Sequence, residues 1–222
     1  MGNSKKDIVY NILNLIAGGR KSDDQSVSYR QIGFIVDYKR AQYLRQDQTK
    51  NWFDMDTVYQ DLGVLEMEEV DSAECCCFES GCTIYRTVKE IPQLLRYNLK
   101  YAIKVNAINK TKRFELVLPE RFEFINYTKF GRLTTPIYFL NNRLYTQDLA
   151  ALNARGVLAR PDDAKEFQCG NSECFNDDME YPLPADMITL ITQDIMGMEI
   201  KELLSLGQDL ENNATDKEQR IS

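Results

Sequence analysis

The residues best able to do chemistry in this chain are its six cysteines, four within "ECCCFESGC" and two in "QCGNSEC". Cys77 and Cys82 are spaced C-x4-C, and so are Cys169 and Cys174. Two such pairs could supply a tetrahedral four-thiolate zinc site. The spacing is looser than the x2 form of zinc knuckles, although Gly81 and Gly170 permit tight ligand loops. Adjacent cysteines on a strand point to opposite faces, so Cys75, Cys76 and Cys77 do not converge easily on one ion. Disulfides are the least favoured state for a chain read as made and kept in a reducing cytoplasm. Buried thiols also pack as small hydrophobes with no ligand role. The residues favour packed thiols and no cofactor, with structural zinc on Cys77, Cys82, Cys169 and Cys174 as the alternative.

Other chemistry is poorly supplied. The chain has no histidine, which removes serine–histidine and cysteine–histidine nucleophile schemes and the commonest general base near neutral pH. No GxxxxGK[ST] or GxGxxG phosphate loop occurs; "AGGRKSDD" resembles neither. Two carboxylate clusters remain, Glu66, Glu68, Glu69 and Asp71, and Asp177, Asp178 and Glu180. Both read as solvated acidic loops, since surface carboxylates are usual. No catalytic residues and no enzyme are therefore expected. The net charge of −7 argues against a basic nucleic-acid-binding face. It is compatible with an acidic wall along which a polyanion slides.

The elements that carry these residues follow from periodicity. Ser4, with Asp7 three residues on, starts a helix bearing Ile8, Val9, Ile12, Leu13, Leu15 and Ile16, which Gly18-Gly19 stops. Ser28 with Gln31 starts a second helix in the same way. Its inner side carries Ile32, Ile35, Val36 and Tyr43, and its other faces Arg30, Lys39, Arg40 and Arg45. These four cations read as a solvated face, or more sharply as an interface with acidic neighbours. From Leu62 onward the chain changes to short β-branched and aromatic runs, among them "GVLEMEEVD", "NLKYAIKVNAIN" and "PIYFLNNRLYTQ". "LNNRLY" reads as a hairpin turn, and "ALNARGVLARP" as one further strand. A third helix opens at Pro184 or Ala185 with Met187, Ile188, Leu190, Ile191 and Ile195 on its apolar face.

The expected class is α+β: a helical bundle from residues 1–60 and 183–206, and a small antiparallel β insertion, sandwich or barrel, over 61–182. Residues 207–222 read as a mobile polar tail; its Asp209 and Glu211 join the four cations as candidate interface residues. No apolar run reaches the length a membrane helix needs, and the opening residues fit neither a secretory signal nor a myristoylation start.

The order of segments then resembles a known group. "KKDIVYNILNLIAGGRKSDDQSVSYRQIGFIVDYKRAQYLRQD" leads to "LEMEEVDSAECC" and "CTIYRTVKEIPQLL". Then come "TTPIYFLNNRLY", "ALNARGVLARP", the "CGNSEC" pair, "DDMEYPLPADMI" and "DLENNATDK". Together they are similar to virion structural proteins of the crAss-like, podovirus-type bacteriophages, from about Lys5 to about Lys217. The resemblance implies a ring protein of the head-to-tail connector or tail, an adaptor commonly of twelve subunits. Such a ring binds the portal protein and neighbouring ring proteins and passively encloses DNA. It implies assembly in the host cytoplasm and a final place in the virion, and it transfers no catalytic or cysteine role. The alternative is a zinc-stabilised interaction or regulatory domain made by a phage but absent from its particle.

Overall fold

The computed structural model describes residues 3–18, 27–46, 56–70, 84–97, 100–109, 111–122, 135–147 and 151–199. They fall into two units, one from Met1–Tyr43 with Asp177–Ser222 and one from Leu44–Asn176. This division puts 44–60 with the sheet and 177–182 with the helices.

In the first unit, helix α1 spans Lys5–Ile16, and Ser4 caps it by accepting a hydrogen bond from the Asp7 backbone N–H. Ile8, Val9, Ile12 and Leu13 form its buried stripe. Gly18, at φ +57, follows its last turn, a conformation that glycine adopts without strain. Helix α2, Tyr29–Gln46, whose last three residues are counted with the second unit, opens on a complete capping box. The Ser28 N–H donates to Gln31 Oε1 at 2.8 Å, and the Gln31 N–H donates back to Ser28 Oγ at 3.3 Å. Both caps satisfy amide groups that a helix start otherwise leaves open. Helix α3, Ala185–Asp194, runs into a π-helical turn at Ile195–Glu199, burying Met187, Ile191 and Ile195.

The expected helical bundle is not clearly formed by the described residues: the three helices share few close backbone approaches. They are instead joined by side chains and by the segment before α3. Tyr181 N–H donates to the Asn3 carbonyl and Lys6 N–H to the Asp177 carbonyl, so this segment lies beside the start of α1.

The second unit is built on one eight-stranded sheet. Its strands are β1 (Gln60–Leu65), β2 (Met67–Glu69), β3 (Tyr85–Thr87), β6 (Ile103–Ala107), β7 (Arg113–Leu116), β8 (Thr135–Leu140), β9 (Arg143–Thr146) and β10 (Leu152–Gly156). The two-residue strands β4 (Arg96–Tyr97) and β5 (Lys100–Tyr101) pair separately. The order is β1-β10-β6-β7-β8-β9-β3-β2. β1 and β2 therefore lie at opposite edges while only Glu66 separates them in the chain. One residue spans only about 3.5 Å, so the sheet curls until its edges nearly meet, close to a barrel. Alternation fills the inside, with Ile137 and Phe139 of β8, Leu144 of β9, and Leu152 and Ala154 of β10 all buried.

The expectation of a purely antiparallel insertion is corrected at one place. β7 and β8 pair in parallel, Phe114 against Thr135 and Leu116 against Ile137. A parallel pair needs a connection longer than a hairpin, and residues 117–134 separate the two strands in the sequence. The "LNNRLY" turn is as read. Asn141 and Asn142 have φ 49 and 59 between β8 and β9, the left-handed pair that a two-residue hairpin of matching twist requires.

The cysteine expectation is corrected too. Cys169 and Cys174 form a disulfide across the hairpin of β11 (Gln168–Cys169) and β12 (Ser172–Glu173). The hairpin turn, with Gly170 at φ +73, brings the two Cα atoms to 4.9 Å, within bonding reach. The sulfurs are bonded to each other in this form, so they are not free thiolates for zinc. Cys75, Cys76, Cys77 and Cys82 lie outside the described residues. The hairpin backs onto a bulge of β1 between Asp61 and Val64. There Gly63 has φ +67, and a Cβ would fall 2.1 Å from the Gln168 carbonyl oxygen.

Candidate assembly interface

α2 divides the candidate cations into two pairs. Ile32, Val36, Lys39 and Arg40 recur at helical spacing and share the inward side. Lys39 is 6% exposed and Arg40 is fully buried. The reading of these two as an outer, solvated or subunit-facing pair is thereby corrected. Lys39 Nζ lies 3.0 Å from Asp194 at the end of α3. Arg40 Nε donates to the Pro182 carbonyl at 2.9 Å, and its guanidinium stands 5.9 Å from the Tyr181 ring centre. Burial pushes the Arg40 pKa below its ordinary value, opposed by Tyr181 and Asp37. Lys5 Nζ donates to Asp37 Oδ2 at 2.9 Å and the Tyr181 hydroxyl donates to Asp37 Oδ1 at 2.8 Å. Buried charges persist only when paired in this manner. At the rim, the hydrogen bond from Lys6 to Asp178 raises the Lys6 pKa.

The second pair, Arg30 and Arg45, is exposed. Between them on the same face stand Phe34, 63% exposed, and Tyr38, 60% exposed. Residues 30, 34, 38, 41 and 45 fall on one stripe of a 3.6-residue helix, so the aromatics form a ridge with an arginine at either end. Sequence reasoning found the arginines and missed the rings, although both rings lie off the Ile32/Val36 stripe at i+4 spacing. Asp209 and Glu211 lie outside the described residues.

One carboxylate of each acidic cluster is drawn into structural pairing. Glu68 Oε1 accepts from Arg86 Nε at 2.7 Å and lies 3.5 Å from Arg143 Nη1. Arg143 also donates to the Thr87 and Val88 carbonyls. The three residues hold β2, β3 and β9 together. Asp178 is paired with Lys6, and Asp71 lies outside the described residues. Among the described residues no group of three or more cysteines or carboxylates is placed to hold a metal ion.

Two hollows open on the sheet unit. One, of about 500 Å³, is lined by Lys100, Lys104 and Arg113 with Glu115 beside them. Lys104 there is held by Asp56 at 3.0 Å and stands 4.1 Å from the Tyr59 ring centre. The other, of about 300 Å³, lies along β1, with Val64 and Val88 as walls.

Among the described residues no helix is long and apolar enough to cross a membrane. The exposed Phe34 and Tyr38 with their flanking arginines have the composition of a protein-binding face. Comparison with curated proteins finds no match. The family described as phage tail ring protein 2 matches residues 7–218. With nearly the whole chain matched, the protein belongs to this tail ring family of the crAss-like phages.

Proposed function

We propose that this chain is a structural, non-enzymatic subunit of a closed tail ring, docking below the portal protein and surrounding the channel through which DNA passes. The observation that carries the reading is the family match over residues 7–218. A ring of about twelve copies, the number that the resemblance implies, closes by rotation when each subunit presents two different surfaces to its neighbours. The excess of carboxylates, a net charge of −7, suits a wall that lets a polyanion pass without gripping it. The exposed α2 ridge suits protein contact, since aromatics and arginine are enriched at interface cores.

The test is quantitative mass spectrometry of purified, DNA-filled particles, scaling this protein against the portal. Equal copies, or a simple multiple, are expected. Absence from the particle would end the reading. Deleting the residues after Ser205 is expected to weaken portal docking while leaving the fold intact; docking that survives removes the C-terminal segment from the contact.

A further inference from the structure

Two exposed features of opposite shape stand on the chain, one on α2 and one along β1. The ridge on α2 presents Phe34 and Tyr38 one turn apart, both about three-fifths exposed, flanked by exposed Arg30 and Arg45. No carboxylate lies on that stripe. The groove along β1, about 300 Å³ in volume, has buried Leu62, Leu65 and Phe167 for its floor. Its walls are Val64, 50% exposed, and Val88, 44% exposed. Glu66 and Glu166 stand exposed at its rim. Lys89 lines it as well, but its ammonium is engaged by the Glu166 carbonyl and lies 4.2 Å from the Phe167 ring centre.

We propose that Phe34 and Tyr38 of one copy seat against Val64 and Val88 of the next, with Arg30 and Arg45 facing Glu66 and Glu166. The inference rests on the ring reading and deepens it by naming the two surfaces that join. A ring of identical subunits needs a heterologous contact, in which one patch meets a different patch and rotation repeats the pair. A ridge meeting its own copy would set arginine against arginine. Against the groove it meets carboxylates, and its rings cover apolar walls that are otherwise wet. Clustered Tyr and Arg anchors inside an apolar pocket are the composition that dominates binding energy at protein interfaces. Arginine is also the cation best matched to carboxylate geometry.

The test uses the purified full chain in native mass spectrometry and sedimentation velocity at high micromolar concentration. The wild-type chain is expected to form rings. Arg30→Glu/Arg45→Glu and Glu66→Lys/Glu166→Lys are each expected to give monomers with unchanged melting, because all four side chains are exposed. Mixing the two variants is expected to restore rings of alternating subunits, since each reversed surface then meets its complement. Phe34→Ala/Tyr38→Ala is expected to stay monomeric in every mixture that relies on its ridge. Rings that survive both reversals, a mixture that stays monomeric, or a monomeric wild type would each overturn the contact. Copy number in the particle is read independently. A portal-matched count with failed mixing sinks this contact alone, whereas absence from the particle sinks the ring reading beneath it.

Discussion

Lys5 Nζ lies 2.9 Å from the Asp37 carboxylate, and both side chains are 5% exposed. The same carboxylate accepts from Tyr181, so one acid ties α1, α2 and the segment before α3. Replacing it with alanine removes the charge that faces a buried ammonium. Asp37→Ala is expected to lose about 3–5 kcal/mol, the usual cost of breaking a buried pair from one side. Lys5→Met/Asp37→Leu is expected to lose less, because no ammonium is left facing the vacated site; the part that remains is the lost acceptor of the Tyr181 hydroxyl and the lost carboxylate near Arg40. Urea unfolding of the two variants decides this; equal losses would assign the effect to shape rather than charge.

Gly63 and Gly170 both have positive φ, yet they make unequal demands. Gly170 has nothing within 4 Å of where a Cβ would stand, while Gly63 faces a carbonyl oxygen at 2.1 Å. Gly170→Ala should cost about 1 kcal/mol, the conformational part alone. Gly63→Ala adds overpacking against the β11 backbone, for a total of about 2–4 kcal/mol. Paired denaturation curves test it, and a Gly63→Ala no worse than Gly170→Ala would mean that the hairpin can back away from β1.

The disulfide closes a short loop, with five positions separating Cys169 from Cys174. A loop that small confines the unfolded chain modestly, giving about 2 kcal/mol of stabilisation. Cys169→Ser/Cys174→Ser should therefore lower the urea midpoint, and wild-type protein under reductant should unfold with the double variant. Intact mass without reductant should be lower by the two thiol hydrogens. A wild-type midpoint indifferent to reductant would show that the hairpin is held by its packing on β1.

Asp56 is bound by Lys104 at 3.0 Å and approached by Arg155 at 3.6 Å. The hydrogen bond and charge of Lys104, then the charge of Arg155, hold its pKa below the ordinary carboxylate value of 3.8. A depressed folded pKa means that the stability from this pair is present in full above the ordinary carboxylate range. It is lost as pH falls through that range to the folded value. Lys104→Met should move the Asp56 midpoint upward in a carboxyl-resolved NMR titration. An unmoved midpoint would assign the shift to Arg155.

Much of this organisation is legible in the chain, and the unreadable parts share a cause. Ser4 and Ser28 announce their helices because a cap and its partner are three residues apart. Asn141-Asn142 announces its hairpin because two adjacent residues accept left-handed backbone. Lys39 and Arg40 were misplaced because charge outweighed position: the Ile32/Val36 period already put them inside, but the acceptors that make burial tolerable are Asp194 and the Pro182 carbonyl. Those lie on a distant segment that no local pattern connects to α2. Phe34 and Tyr38 were missed for the converse reason, since an aromatic residue in a helix reads as core until its neighbours are known.

The sequence by itself determined the helix starts, the hairpin, the α+β class and, through the order of its segments, the tail ring family. Those are interactions within a few residues, or the order of such interactions along the chain. Only the tertiary structure decided that β7 and β8 run parallel, that the sheet curls until β1 and β2 nearly meet, that Cys169 bonds Cys174, and that Gly63 must lack a side chain. It also decided which arginines face water. Each of these depends on which group stands opposite, and for all but the disulfide that group comes from another segment. Folding brings the two together by burying whole faces at once, a sum over the chain that no short window contains.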